Sequence, residues 1–282
     1  MSSVKDCIWK ALPDSLFAIG NYQISHRRVP RLIRPRTFTE KVLHRMLFDR
    51  RAVLTQLADK AAVRSYVEAR LGPEIMPALY YMTTRPETIP FDDLPERFVV
   101  KPTHGSGWVE VVTGKSTLDR AALIETCRGW LQQSFYEVTR EWVYKHIEPR
   151  ILVEEFIDDG TGGPPIDYKL FVFAGRVELI QVDTDRFTGH RRRLYTPAWK
   201  KLDVRLRYRD IHADLPQPPH LAEMIAAAET LGKDLDFIRA DFYDTPQRLY
   251  FGELTTTPES GLARFYPKEF DRHLGACWKL PA

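Results

Sequence analysis

The stretch RADFYDTPQRLYFGELTTTPESG places Asp241 and Glu253 on two strand-forming runs joined by a turn around Asp244 to Gln247. If the runs pair as a hairpin whose turn adds no net bulge, the separation of twelve residues puts both carboxylates on one face at one level. Two inward carboxylates repel each other and are costly to bury. A divalent cation removes that cost, and hard oxygen ligands favour Mg²⁺, which commonly shares its shell with nucleotide phosphates. The same spacing also suits two acids that face solvent or pair with Arg239 or Arg248. Upstream, FVVKPTHGSGWVEVV (98–112) runs from a short apolar strand into Lys101, then through Gly105 and Gly107 to an alternating strand. A lysine at a strand end beside a Gly-rich turn sets one cation and several free backbone N–H groups around phosphate oxygens, although Thr, Gly and Ser also build ordinary hairpins. In ILVEEFIDD, a strand end between apolar side chains offers backbone groups to an adenine edge, and Asp158 or Asp159 can accept ribose hydroxyls. Generic strand exits look similar.

These residues need elements to hold them. TFTEKVLHRMLFDRRAVLTQLADKAAVRSYVEARLG has helical spacing of its apolar residues, with Thr37 or Thr39 as cap and Gly72 and Pro73 as stop. Ile75 to Met82 reads as a strand, and PETIPFDDLPER as a proline-punctuated loop. Leu118 to Trp130 and Gln132 to Lys145 read as helices whose aromatics Trp130, Phe135, Tyr136, Trp142 and Tyr144 serve a core. Ile151 to Ile157, Tyr168 to Ala174, Val177 to Asp183, Phe237 to Phe242 and Arg248 to Leu254 read as strands, and Leu221 to Leu231 as a helix closed by Gly232. Strands and helices without βαβ regularity predict an α+β chain of two or three small lobes.

The 282 residues carry 41 basic and 38 acidic side chains, a net charge of +3, so no global field recruits nucleic acid or membrane. RRVPRLIRPR (27–36) holds five arginines without an acid, and Arg191 to Arg193 form a second cluster; both suit either a solvated surface or an anionic substrate or lipid headgroup. Cys7, Cys127 and Cys277 lack the spacing of a disulfide framework or zinc site. The first residues, MSSVKDCIWKALPDSLF, contain scattered charges and no long apolar run, so no secretory signal is read there and a cytoplasmic location is expected.

Lys60 in ADKAAVRSYV, Lys101, Glu154 and Glu155 in LVEEFI, then Asp241 and Glu253: this order resembles the ATP-grasp superfamily. PRTFTEK, LADKAAVRSYV, FVVKPTHGSG, DYKLFVF and DFY with YFGELTTTPESG look like its TupA-like branch, named from teichuronopeptide biosynthesis, over Arg34 to Arg272. The resemblance implies a nucleotide held between two α+β lobes, with a helical and basic N-terminal segment (1–58), a pre-lid region (59–97), a lid subdomain (98–153) and a catalytic subdomain (154–282). Lys60 and Lys101 would contact ATP phosphates or the adenine edge. His104, Gly105, Ser106, Gly107 and Trp108 would form the loop that closes over the phosphates. Glu154, Glu155, Phe156, Ile157 and Asp159 would frame adenosine. Asp241 and Glu253 would hold Mg²⁺ with Arg239 beside the transferred phosphoryl group, Lys169 would be the basic residue of DYK, and Arg186 or Arg193 would meet the acyl phosphate or carboxylate substrate. Thr255 stands where many superfamily members have Asn, which leaves a second metal open.

The implied reaction is attack of a carboxylate on the γ-phosphate of ATP, then displacement of phosphate from the acyl phosphate by an amine. The implied substrates are a uronic acid or other carboxylate of a surface polysaccharide or its precursor, including a lipid-linked one, and an amino acid. A sugar kinase on the same site and a nucleotide-binding scaffold are the alternatives. The histidines outside the loop (His26, His44, His146, His190, His212, His220 and His273) read as structural or surface groups.

Overall fold

The computed structural model describes residues 12–160, 165–185 and 189–281; Arg186 and the first eleven residues, where the absence of a signal was read, lie outside them. The chain opens with helices α1 (Asp14–His26), α2 (Phe38–Phe48), α3 (Ala52–Ala58) and α4 (Ala62–Leu71). The single helical stretch expected from Thr37 to Gly72 is thus three helices. Asp49 and Asp59 cause the breaks: their carboxylates accept from the backbone N–H of Arg51 and of Ala61, at 3.2 and 2.8 Å, in place of a helical carbonyl. Thr37 starts α2 through a capping box with Glu40, while Thr39 turns its hydroxyl and N–H to Asp271.

A first lobe follows, built from strands β1 (Leu79–Thr83), β2 (Phe98–Pro102) and β3 (Glu110–Val112), helices α5 (Arg120–Leu131) and α6 (Phe135–Thr139), and strand β4 (Ile151–Glu155). Its sheet is antiparallel in the order β1-β4-β2-β3, so the lobe takes in β1 and runs on through Glu154 and Glu155 at the end of β4. Phe98, Val100, Ile151 and Val153 pack on Leu123, Cys127 and Trp130 of α5. The helix expected over Gln132 to Lys145 shrinks to five residues, because Arg140 adopts a left-handed φ of 58° that ends α6. Val143 and Ile147 then pack on Leu54 and Ala58 of α3, which fixes the turn that carries Glu141 and Tyr144.

The second lobe contains β5 (Asp167–Phe173), β6 (Arg176–Thr184), β7 (Arg191–Tyr195), β8 (Arg205–Leu206), helix α7 (Leu221–Gly232), β9 (Phe237–Asp244), β10 (Leu249–Thr255), β11 (Phe265–Tyr266) and α8 (Glu269–Cys277). Five antiparallel strands run in the order β10-β9-β5-β6-β7, and β8 pairs with β11. One face of the large sheet packs Leu170, Val172 and Ile238 against α7 and α4. The other face changes character along its strands. Phe171, Phe173 and Phe237 meet Phe38 and Trp278 in an aromatic core, and beyond them the same face turns polar with Asp167, Lys169, Arg239 and Asp241.

Register sets those polar residues in rows. Glu253, Asp241, Lys169 and Gln181 are successive partners across β10, β9, β5 and β6, and Asp167, Asp183 and Arg192 form the next row. The hairpin differs from expectation in how it brings Asp241 opposite Glu253. The turn pairs Asp244 with Leu249 and Phe242 with Phe251, a register in which Asp241 and Glu253 would miss each other; a one-residue shift between Phe251 and Glu253 restores the match. Gly252 is the extra residue. A Cβ there would lie 3.0 Å from the Asp241 carbonyl oxygen and 3.2 Å from the Tyr243 ring. Gly252→Ala is therefore expected to lose about 1–3 kcal/mol in urea denaturation through overpacking. Gly114→Ala, whose Cβ meets nothing nearer than 3.8 Å, should stay within about 0.5 kcal/mol of wild type; equal effects would remove the bulge as a packing constraint.

Candidate active site

A cavity of about 400 Å³ lies between the lobes, lined from the first by Lys101, Ser106, Gly107, Glu141 and Glu154 and from the second by Lys169, Asp183, Arg192, Arg239 and Glu253, with Lys60 between α3 and α4. Lys101 reaches across from β2 to Glu154 at 2.5 Å, and Arg64 of α4 holds the other oxygen of Glu154 at 3.2 Å. Lys60 donates to the carbonyl of Gly105 and so ties α4 to the Gly-rich turn. Burial lowers its ammonium pKa, opposed by Glu253 and Glu154 and aided by neighbouring Lys101. Two ammonium groups this close to one opening favour an anionic guest.

The Gly-rich turn divides into an exposed tip and an anchor. Ser106 and Gly107, with φ of 77°, face the cavity. Trp108 folds back over Gly105, where a Cβ would sit 2.6 Å from the indole, and stacks edge-on against His104 and Phe135. His104 is buried beneath the turn, its Nε2 3.1 Å from the carbonyls of both Trp130 and Gln133 at the end of α5. The expected closing loop is thus centred on Ser106 and Gly107, and His104 and Trp108 are its footing.

Of the expected adenosine frame, Glu154 lines the cavity, while Glu155 and Phe156 make contacts of their own. Glu155 accepts from the Ala78 N–H at 3.0 Å and from the Tyr250 hydroxyl at 2.9 Å, and Phe156 lies under the Arg97 guanidinium at 4.8 Å. Ile157 is buried and Asp159 half-buried.

The polar rows of the large sheet converge on Arg239. Its Nε and Nη2 each lie 2.7 Å from an oxygen of Asp241, and Nη2 is also 3.1 Å from Glu253 and 2.9 Å from the Thr255 hydroxyl. Lys169 completes the cluster, 2.7 Å from Asp241 and 3.3 Å from Asp167. Burial pushes the Asp241 carboxyl up against the pull of Arg239 and Lys169. For Arg239 burial is outweighed by Asp241 and Glu253, which hold the guanidinium firmly charged. One nitrogen thus sits among oxygens of Asp241, Glu253 and Thr255, a set of hard donors that fits a Mg²⁺ ion. Among the described residues no group of three His, Cys, Asp or Glu side chains gathers to hold a metal unaided. Two carboxylates and a hydroxyl suit an ion that brings the remaining oxygens with it.

Arg193 does not join them. Strand alternation sends it to the opposite face of β7, where it is buried on Asp210 at 2.7 Å, on Asp214 and on the carbonyls of Ala213 and Ile211. Arg192 takes the cavity side instead, with both oxygens of Asp183 at 2.6 and 3.0 Å and Glu259 at 3.0 Å. Tyr208 lies against this guanidinium, and His190 stacks on Tyr208 at 3.7 Å between ring centroids. The sequence reading missed Arg192, Asp183, His190, Tyr208 and Glu259; the alternation within RRRLY was the available signal, but it needed the register with β6.

Glu141 was missed as well. Its side chain is buried at the edge of the cavity and accepts from the hydroxyls of Thr257 and, at 2.8 Å, Ser260, both on the loop after β10. Burial raises its pKa from 4.5 to about 7, and the two hydroxyls lower it only in part. A carboxyl whose folded pKa is raised adds stability that is fully present below its unfolded pKa and lost as pH climbs through the folded one. The window here is about pH 4.5 to 7. Glu141→Gln, neutral throughout, should therefore match wild type near pH 4.5 and exceed it by about 3 kcal/mol above pH 7.5. Urea melts at the two pH values would read this, and a pH-independent difference would contradict it.

A family model described as TupA-like ATPgrasp matches residues 40–279. No curated protein matches the chain. Among solved structures the chain is similar to D-alanine–D-alanine ligase from Bacillus anthracis complexed with ATP, at 18% identity and TM-score 0.43 over 73% of this chain and 56% of that one. It is also similar to the L-amino acid ligase from Bacillus licheniformis, at 16% identity and TM-score 0.45 over 89% and 51%. The ADP complex of N5-carboxyaminoimidazole ribonucleotide synthetase gives 14% and 0.47 over 73% and 46%. The chain thus spans about half the length of the solved structures it matches. With the family model spanning all but the ends of its 282 residues, the chain belongs to the TupA-like ATP-grasp family.

Proposed function

We propose that the chain is an ATP-dependent carboxylate–amine ligase that works through an acyl phosphate and joins an amino acid to a uronic acid or another carboxylate in surface polysaccharide biosynthesis. The observation that carries this is the charge set around one opening: Lys60, Lys101, Lys169 and Arg239 face the same cavity as Glu253, and Asp241 lies directly behind, bound to Lys169 and Arg239. Phosphoryl transfer needs positioning and charge neutralisation more than covalent help, and that set supplies both. Lys60 and Lys101 hold phosphate oxygens at the Gly-rich turn, while Lys169 and Arg239 meet the charge that builds as a substrate carboxylate oxygen bonds to the γ-phosphorus and ADP leaves. Mg²⁺, held by Asp241, Glu253 and Thr255, would neutralise phosphate charge. Arg192 takes over the place beside the acid substrate that was expected of Arg193. Arg27, Arg31, Arg34 and Arg36 are exposed around the α1–α2 connection next to exposed Val29 and Ile33, a surface suited to a lipid-linked anionic acceptor. No helix among the described residues is long and apolar enough to cross a membrane.

Hydroxylamine tests the reaction class. Protein, Mg-ATP and a panel of uronates, amino acids and small peptides are incubated with hydroxylamine and read by mass. Wild type should give a hydroxamate of one acid, and Lys101→Ala should lower its rate on the order of 10²-fold or more. ADP with a stable phosphorylated product and no hydroxamate would instead make the chain a kinase.

A further inference from the structure

We propose that Glu141 is the ammonium-binding group and proton acceptor for the amine substrate. This rests on the ligase reading above. Each other acid on the cavity wall has a cation: Glu154 has Lys101 and Arg64, Asp183 has Arg192, Glu253 has Arg239, and Glu259 has Arg192 and Arg207. Among the described residues Glu141 has none, although only 6% of it is exposed. Its neighbours are two neutral hydroxyls, Thr257 and Ser260, and the phenol of Tyr144, all on the same wall.

A buried carboxylate without a countercharge is costly, and a ligand cation would end that cost. A primary ammonium has three N–H donors and no acceptor. The carboxylate of Glu141 and the hydroxyl oxygens of Thr257 and Ser260 are acceptors grouped to receive it, whereas a second carboxylate would leave them mismatched. Tyr144, Glu141, Glu253 and Arg239 line the same cavity, which puts the ammonium site on the opening that the phosphoryl-transfer charges face.

An ammonium cannot attack until it sheds a proton. Glu141 takes one proton and frees the nitrogen lone pair; nitrogen bonds to the acyl carbon, the carbon–oxygen bond to phosphate breaks, and phosphate leaves with the second nitrogen proton as hydrogen phosphate. Burial, which brings the Glu141 pKa to about 7, suits a group that must accept and return a proton near neutrality. Hydroxylamine is already neutral at that pH and needs no such acceptor.

The test is therefore a ratio. In wild type and Glu141→Gln, amide formed from the amino-acid panel is divided by hydroxamate formed from the same acid. The variant's ratio should fall on the order of 10²-fold, the size of a lost general base. An unchanged ratio, whether both products persist or both fall together, overturns the proposal and makes Glu141 a structural tie between lobes. If glutamine is not tolerated, Glu141→Asp keeps the charge and should hold the ratio within about tenfold of wild type; a larger fall overturns it. A binding arm needs no turnover: ethylammonium and the common amino acids are added with Mg-AMPPNP and the melting temperature is followed. Stabilisation of wild type that Glu141→Gln lacks supports the site even if the absence of hydroxamate sinks the ligase reading. Equal stabilisation of both proteins, or none, overturns it.

Discussion

The Arg239 guanidinium among the oxygens of Asp241, Glu253 and Thr255 is the contact around which the second lobe is organised. Charges removed from water must be paired and hydrogen-bonded, or they shift and neutralise. The sheet meets that demand by setting a base beside each buried acid: Lys169 lies between Asp167 and Asp241, Arg239 holds Asp241 from two positions along the same strand, and Arg192 holds Asp183 across β6 and β7. A second requirement follows: the strands have to be held still at this level. Arg45, buried in α2, does this from below, donating to the carbonyls of Phe237 and Thr256 and pairing with Asp236 at 2.6 Å. The loop after β10 is thereby pinned beside the cavity.

The first lobe contributes less charge and more shape. Lys101 comes to the cavity on the end of a strand, and the Gly-rich turn, tied to Lys60 ahead of α4, is footed on Trp108 and His104. The turn tip has little to pack against, which leaves it the part of the wall best able to adjust to a guest. The wall formed by the large sheet has no such slack.

Residue types were legible in the sequence wherever chemistry follows from local context. A lysine between a buried strand and a Gly-rich turn, and carboxylates on apolar runs, are local facts; Lys101 and Glu253 line the cavity, and Asp241 sits behind Lys169, which does. What pairing decides was not legible. Arg192 and Arg193 are neighbours in RRR, and only the partnership of Asp183 with Arg192 says which one faces inward. The facing of Asp241 and Glu253 was reached on the premise of a regular hairpin, whereas the real turn has the other parity and a bulge compensates for it. Glu141 sat in a stretch read as helix, and its enclosure comes from hydroxyls 116 and 119 positions later, which no window along the chain contains. The long helix from Thr37 failed for a local reason that composition alone hides, the competition of Asp49 and Asp59 side chains for backbone donors.

That compensation between turn and bulge bears on how such a chain can vary over time. The register at Glu253 depends on the residues in the turn and the one extra residue at Gly252 taken together. Inserting or deleting a single residue in the turn swings Glu253 to the far side of the sheet, unless the bulge is lost or gained in the same step. Changes by two residues leave the pair intact. Length variation in this hairpin is therefore quantised, so relatives should differ here by even steps, or by odd steps with the glycine bulge gone.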